Sequence, residues 1–136
     1  YDLAVSFAGE DRHLARDISE GLLSKGFKVF YDEYEQADLW GKDLYSHLSD
    51  VYGKMARFCL MIISKHYAEK QWTTHERKAA QAKAFNQNDE YILPLRVDNT
   101  EIPGMLPTIG YLHMKDHSVE HVVDLLVHKL GASKSA

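Results

Sequence analysis

The feature that most constrains the fold is an unbroken apolar run at residues 58–63, Phe-Cys-Leu-Met-Ile-Ile. A strand with one face in solvent would alternate apolar and polar residues, and this run does not. It therefore predicts a central strand of a parallel sheet that is covered on both faces. The length of 136 residues fits one domain built around such a sheet.

Strand-like runs alternate with helix-like periodicity along the rest of the chain. The further strand-like runs lie at 3–7, 27–31, 91–97 and 109–113. Apolar residues recur at helical spacing over 14–22, 44–55, 74–85 and 119–130. With right-handed crossovers, this alternation predicts a flavodoxin-like α/β fold. We expect a five-stranded parallel sheet of order 2-1-3-4-5 with helices on both faces.

Local signals refine this topology. Lys25 and Gly26 are predicted to close the first helix, because glycine commonly follows a helix C-terminus. Pro94 cannot donate to a ladder, so the fourth strand is expected towards an edge of the sheet or at a bulge. Residues 1–130 are assigned to the domain and residues 131–136 to a linker or an artificial tail. Because the chain opens inside a strand and without methionine, we expect it to be a module of a longer protein.

Composition excludes several classes. The net charge of −4 argues against nucleic-acid binding, which requires clustered positive charge. No apolar stretch approaches the length of a transmembrane helix, and no signal peptide is recognisable, so we expect no membrane association. Cys59 is the one cysteine, so no internal disulfide can form, which suits a cytoplasmic protein.

The strongest candidate chemistry is the pair Trp72 and Glu76, which follows the buried run 58–63. Ligands of open α/β sheets bind at the carboxyl edge where the strand order reverses. The position of this pair after the third strand therefore favours a catalytic carboxylate beside an aromatic ring. The competing reading is a capping box in which Glu76 bonds back to the amide of Thr73. From local sequence alone both readings stay open.

Other candidates are Ala8 and Gly9 after Phe7, and Trp40 in the polar loop 32–42. Small residues at the end of the first strand would let a ligand approach the backbone, although Gly9 also suits a plain turn. Trp40 is either an anchor of its loop or an exposed interaction surface. Trp72 could equally flank the core.

No metal site is predicted. His113, His117 and His121 are spaced four apart, as helical metal ligands would be. However, His113 falls in the last strand and His117 in the cap of the last helix, so the three do not share a helical face. Cys59 lies among apolar neighbours and is expected to be inert. No nucleophile with a histidine and an acid, and no glycine-rich phosphate loop, is present in the sequence.

Three blocks, in order, resemble the TIR (Toll/interleukin-1 receptor) domains common in bacterial proteins. They are residues 1–7 (Tyr-Asp-Leu-Ala-Val-Ser-Phe), 30–32 with 39–44 (Phe-Tyr-Asp and Leu-Trp-Gly-Lys-Asp-Leu), and Ser64-x-x-Tyr67 leading to Trp72-x-x-x-Glu76. With their spacing they cover almost the whole chain. The sequence has Trp40-Gly41 where the animal receptors have a Pro-Gly pair.

The resemblance implies cleavage of NAD+ at the nicotinamide–ribose bond, with NAD+ as substrate and no further cofactor. Products would be nicotinamide and ADP-ribose or a cyclic ADP-ribose. Glu76 would be the catalytic acid, Trp72 would flank the substrate, residues 7–9 would line the pocket floor, and Trp40 would lie on a movable rim. The resemblance also implies activation by head-to-tail assembly of TIR protomers, a regulatory domain in the full-length chain, and a role in immune or antiviral signalling.

Two other functions remain open. The same fold could serve as a non-catalytic module that recruits other TIR domains, because fold alone does not determine function. A nucleoside or nucleotide-sugar transferase could use the same single glutamate. A receiver-like signalling domain is set aside, because the third strand ends in Ile63-Ser64-Lys65 and offers no phosphoacceptor aspartate.

Overall fold

The computed structural model describes residues 1–31, 56–71, 92–100 and 110–134. Its strands are β1 (Leu3–Ser6), β2 (Val29–Phe30), β3 (Phe58–Ile63), β4 (Ile92–Arg96) and β5 (Leu112–His113). Its helices are α1 (Arg12–Leu23), α2 (Lys65–Gln71) and α3 (Val119–Lys134). Short 3-10 turns at Gly9–Asp11 and Met114–Asp116 precede α1 and α3.

The strands form one five-stranded sheet of order β2-β1-β3-β4-β5. All four pairings are parallel, with Leu3 opposite both Val29 and Phe58. The predicted flavodoxin-like fold and its strand order are therefore confirmed. Because β1 lies between β2 and β3, the chain leaves β1 towards one edge and later returns to build the other half of the sheet. The crevice expected at such a reversal lies at the carboxyl ends of β1 and β3.

Both faces of the sheet are covered. Alternate residues of a strand point to opposite faces. Because every residue of β3 is buried, both faces of the sheet must be covered at this strand. Leu60 and Ile62 join the large core that contains the inward faces of α1 and α3. Met61 and Ile63 face the other way and pack with Ala8 and Tyr67 in a smaller core under α2. Helices on both faces, as predicted, are thus observed.

Strand ends differ from the sequence-based boundaries. β3 matches its predicted range, whereas β1 ends at Ser6 and β2 is only two residues long. The last helix runs to Lys134, so residues 131–134 are helical although they were assigned to a linker or tail. The boundary of the domain remains a prediction. The predicted helices over 44–55 and 74–85 lie outside the described residues.

The strand that contains Pro94 lies towards one edge of the sheet, as predicted. β4 lies between β3 and β5, and Pro94 is in register with Met61 of β3. β5 pairs only with Leu95 and Arg96, so at the level of Pro94 the ladder to β5 has not begun. The missing amide donor is tolerated because the outer neighbour is so short.

The first helix ends as predicted. Gly26 has a φ of 87°, a left-handed conformation that other L-residues rarely adopt. The amides of Gly26 and Phe27 donate to the carbonyls of Leu23 and Leu22, at 3.0 and 3.2 Å. These bonds satisfy carbonyls that the helix end would leave unpaired, and they turn the chain into β2.

An ion pair ties the amino ends of the strands together, opposite the crevice. Arg57 donates through one guanidinium nitrogen to Asp2 (2.8 Å) and through the other to the carbonyl of Leu130 (2.9 Å). The second carboxylate oxygen of Asp2 accepts from the amide of Lys28 at 2.9 Å. This edge of the sheet is therefore fastened to α3. Of the helices in the described ranges, none has the length and apolar character needed to cross a membrane.

Candidate functional site

The crevice at the sheet reversal is bordered by the loops after β1 and β3. Phe7, Ala8 and Gly9 follow β1 directly, so the structure places this predicted trio at the carboxyl edge. Ala8 is buried against Met61 and Ile63, whereas a Cβ added to Gly9 would meet no atom of the described residues within 4 Å. Among these residues, none occupies the side of the Gly9 backbone where a side chain would stand, which is the side a ligand would approach.

The ring of Phe7 belongs to a cluster that sequence reasoning did not find. It stacks on Tyr31, with 5.6 Å between ring centroids. The guanidinium carbon of Arg12 lies 5.1 Å from the Phe7 centroid and 5.8 Å from that of Tyr31, within cation–π range. Arg12 also donates a long hydrogen bond of 3.4 Å to the Tyr31 hydroxyl. Two aromatic rings and one positive charge therefore meet at the ends of β1 and β2.

A buried chain of polar groups connects the two loops that border the crevice. The Ser64 hydroxyl donates to Oδ2 of Asp11 at 2.5 Å, and its oxygen accepts from the amide of Tyr67 at 3.1 Å. The Tyr67 hydroxyl lies 2.8 Å from Oγ of Ser6 on β1. All four residues are buried, with Asp11 only 7% exposed. Ser64 thus caps α2 while it is itself held by the loop after β1.

Two further contacts hold the start of α2. Oδ2 of Asp98, in the loop after β4, accepts from the amide of Lys65 at 2.9 Å, and Oδ1 accepts from the amide of Thr100 at 2.9 Å. Burial alone would raise the pKa of Asp98, but hydrogen bonds from Thr100 and Lys65 and the nearby His113 together lower the pKa below its ordinary value. Nearer the surface, Nδ1 of His66 lies 2.9 Å from Oε2 of Glu10, an ion pair whenever the imidazole is protonated.

Arg96, at the carboxyl end of β4, and Tyr111, the residue before β5, form a second aromatic–cation contact. The guanidinium carbon of Arg96 lies 4.2 Å from the centroid of Tyr111, whose side chain is 52% exposed. The Nε atom of Arg96 is buried and has no hydrogen-bond partner among the described residues. Tyr111 is therefore a large exposed ring at the β5 edge of the sheet, held over a charged group.

Three predicted site residues, Trp40, Trp72 and Glu76, lie outside the described residues. Their roles, like those of Phe7, Ala8 and Gly9, remain predictions. What the structure adds is that the described part of α2 reaches Gln71, and the predicted pair follows it in sequence. The helix whose start is fixed at the crevice therefore leads, along the chain, to Trp72.

His113 makes contacts of its own, whereas His117 and His121 approach each other. His113 is in β5, where its ring contacts Asn99 and the amide of Lys115. His117 and His121 do approach each other, with 2.9 Å between their Nδ1 atoms. Within the ranges that the structure describes, no group of three or more His, Cys, Asp or Glu residues is arranged to hold a metal ion.

Cys59 has the environment expected of an inert thiol. It is buried in β3, and burial raises its pKa to about 12. A thiol with so high a pKa carries almost no thiolate at neutral pH, which is the reactive form.

Sequence reasoning did not single out Arg12, Tyr31 and Asp11, whose contacts lie at the crevice. Asp11 lies in the turn before α1, and Arg12 is the first residue of that helix. Charged residues are ordinary at both positions. Tyr31 reads as one more apolar residue of a strand. Only the parallel register, which aligns β1 with β2 and β3, brings these side chains together.

Comparison with known proteins identifies the family. A sequence model described as the TIR domain matches residues 3–127. The chain belongs to the TIR domain family. Its fold agrees with this assignment: the TIR domain of the Toll-related receptor TRR-2 from Hydra magnipapillata superposes with a TM-score of 0.72. That match covers 96% of this chain and 98% of the other at 19% identity, so it bears on the fold alone.

Two bacterial relatives of this TIR domain are named for an activity. The chain is 48% identical over 130 residues to the 3' cyclic ADP-D-ribose synthase AaTIR of Aquimarina amphilecti, covering 96% of this chain and 40% of that protein. It is 30% identical over 134 residues to the 2' cyclic ADP-D-ribose synthase BtTIR of Bacteroides thetaiotaomicron, covering 93% of this chain and 45% of that protein. The chain thus spans less than half the length of either curated relative.

Proposed function

We propose that this TIR domain cleaves NAD+ between nicotinamide and ribose, as the effector module of a longer immune or antiviral signalling protein. The observation that carries the proposal is the 48% identity, over 96% of the chain, to a protein named as a cyclic ADP-ribose synthase. The position of residues 7–9 at the crevice supports the same reading.

One carboxylate is enough for this reaction. Ordinary glycoside hydrolysis needs a second, because a poor leaving group must be protonated. The nicotinamide ring carries a positive charge in NAD+ and departs as a neutral base, so no general acid and no cofactor is required. Glu76 would stabilise the positive charge that develops on the ribose. At about 4 Å and an effective dielectric constant of about 20, that interaction is worth roughly 4 kcal/mol.

The described part of the crevice fits a dinucleotide. Gly9 leaves space beside the backbone among the described residues, and the Phe7 ring, stacked on Tyr31, forms part of the adjoining wall. Arg12 brings a positive charge to the same place, where the diphosphate of NAD+ is negative. Trp72 and Trp40 would complete the walls. The site therefore combines stacking with charge recognition.

The two named relatives favour a cyclic product. Cyclisation needs a nucleophile within the substrate to reach the ribosyl cation before water does. Exclusion of water by Trp40 and Trp72 would favour that outcome. We therefore propose a cyclic ADP-ribose as the main product, with linear ADP-ribose as the minor one.

Assembly and context are part of the proposal. Tyr111 at the β5 edge offers an exposed ring that a second protomer could cover, in a head-to-tail contact that propagates as an open filament. Regulation would come from other regions of a longer chain, since the relatives are more than twice as long as the matched part. With one buried cysteine and no disulfide to form, the domain suits the cytoplasm.

The test incubates NAD+ with high concentrations of wild-type and Glu76→Ala protein and follows nicotinamide by chromatography. Mass spectrometry separates the products, because a cyclic ADP-ribose is lighter than ADP-ribose by one water molecule. We expect nicotinamide release by the wild type and almost none by the variant. Absence of release from the wild type across a wide range of protein concentrations would reject the proposal.

The second candidate is a non-catalytic module for TIR–TIR interaction. The observation that favours it is Tyr111, 52% exposed and stacked on Arg96, because such anchors are common at protein interfaces. A scaffold would assemble equally well as wild type and as Glu76→Ala, and neither would release nicotinamide. Light scattering beside the nicotinamide assay separates the two candidates.

A further inference from the structure

We infer that Asp11 and Ser64 are positioning residues of the crevice. Their hydrogen bond fixes the loop after β1, which carries Phe7–Gly9, against the start of α2, which leads to Trp72. The inference deepens the proposed function and rests on it for its kinetic readout. No residue of this pair is expected to contact the substrate.

The contact joins residues that are far apart in sequence and fully enclosed in the fold. Ser64 and Asp11 are 53 positions apart, and their side-chain oxygens lie 2.5 Å from each other. That distance is typical of a hydroxyl donating to an ionised carboxylate, a stronger bond than one between neutral groups. Ser64 is 2% exposed and Asp11 7%, so water cannot replace either partner without opening the loop.

The bond is one link in a continuous chain. The same Ser64 oxygen accepts the amide of Tyr67, and the Tyr67 hydroxyl lies 2.8 Å from Oγ of Ser6. On the other side, the amide of Asp11 donates to the carbonyl of Ala8 at 2.9 Å. The chain therefore runs from the predicted pocket floor, through two side chains, into the first turn of α2 and back to β1.

This arrangement couples the two loops more tightly than packing would. Apolar contacts tolerate small shifts, whereas a short bond to a carboxylate restrains both distance and direction. Reaction rates in enzymes depend on such restraint, since a displacement of about 1 Å can cost roughly a hundredfold. Loss of the pair should therefore lower kcat more than it raises KM.

The matched control is Ser19 of α1. Like Ser64 it is buried, and its hydroxyl makes one hydrogen bond, to the carbonyl of Ala15 at 2.7 Å. It lies on a helix that faces the opposite side of the sheet from α2. Ser19→Ala thus removes a comparable hydroxyl without touching the two loops.

The experiment compares Ser64→Ala, Asp11→Asn, their double variant, Ser64→Thr and Ser19→Ala in the full 136-residue chain. Nicotinamide release gives kcat and KM, and thermal unfolding gives the folded fraction. We expect Ser64→Ala and Asp11→Asn each to lose about tenfold to a hundredfold in kcat. The double variant should lose no more than the worse single one, and Ser64→Thr should recover part of the rate.

Several results would overturn the inference. One is a Ser64→Ala protein with near-normal kcat; another is a loss that Ser19→Ala reproduces at equal thermal stability. Additive losses in the double variant would count equally against it. If the wild type releases no nicotinamide, the proposed function fails and amide exchange by NMR decides the positioning claim. Faster exchange at Tyr67 in Ser64→Ala, but not in Ser19→Ala, supports it; unchanged exchange rejects it.

Discussion

A Cβ atom added to Gly21 of α1 would lie 2.9 Å from Cγ2 of Val123 on α3. The two helices therefore pack with almost no space between backbone and side chain at this point. Val123 is β-branched and cannot easily turn away. The close approach brings α3 down onto the core that supports β1 and β3.

Gly21→Ala should therefore destabilise the protein by about 1–3 kcal/mol, since a methyl group would overpack the helix contact. Urea unfolding measures the change. Gly131→Ala in α3 is the matched control, because a Cβ there meets no atom of the described residues within 4 Å. It should be neutral or stabilising by about 0.5–1 kcal/mol, as alanine favours helices over glycine. The same sign for both variants would contradict the packing argument.

Asp98 gives the fold a dependence on acid. Its pKa is lower in the folded protein than its ordinary value of 3.8, so its contribution to stability is complete above that value and is lost as pH falls through the folded pKa. Asp98→Asn should therefore be less stable than the wild type at pH 7, and the gap should close in strong acid. Denaturation across pH measures this. Asp124→Asn, an exposed change on α3, should show no such gap.

Arg12 should affect substrate binding. Replacing it by glutamine removes the positive charge from the Phe7–Tyr31 cluster, and KM for NAD+ should rise about tenfold or more, the range for a lost charged hydrogen bond. Lys25→Gln, an exposed charge at the far end of α1, is the control. Equal effects of the two substitutions would mean that only the overall charge of the domain matters.

Glu76→Gln tests the negative charge itself. The amide keeps the size and much of the hydrogen bonding of the carboxylate but cannot stabilise a cation electrostatically. We expect nicotinamide release to fall on the order of a thousandfold, the rate equivalent of roughly 4 kcal/mol. Near-normal turnover would show that the residue acts through hydrogen bonding or not at all.

The sheet could be predicted from the sequence, because strands and helices each have a characteristic period of apolar residues. The run 58–63 is β3 residue for residue, and the reversal between β1 and β3 follows from the alternation of strands and helices. The cap predicted around His117 is formed by its neighbour Ser118, whose hydroxyl accepts from the amide of His121. The two-residue length of β2 was not foreseen, since an apolar run does not reveal how far its neighbour extends.

The site was harder to predict. Phe7–Gly9 could be assigned to the carboxyl edge from topology alone, and the structure places them there. The partners of Ser6 and Ser64 lie 61 and 53 residues away, and no local spacing predicts such pairs. They depend on strand register and on which face each side chain takes, which appear only once the sheet is assembled.

Both outer strands of the described sheet, β2 and β5, are only two residues long. A neighbouring chain would find too few free amides and carbonyls there to add a strand of its own. The assembly proposed above would therefore form through side chains and loops rather than by extending the sheet. Short outer strands of this kind also guard the chain against the edge-to-edge stacking that builds amyloid.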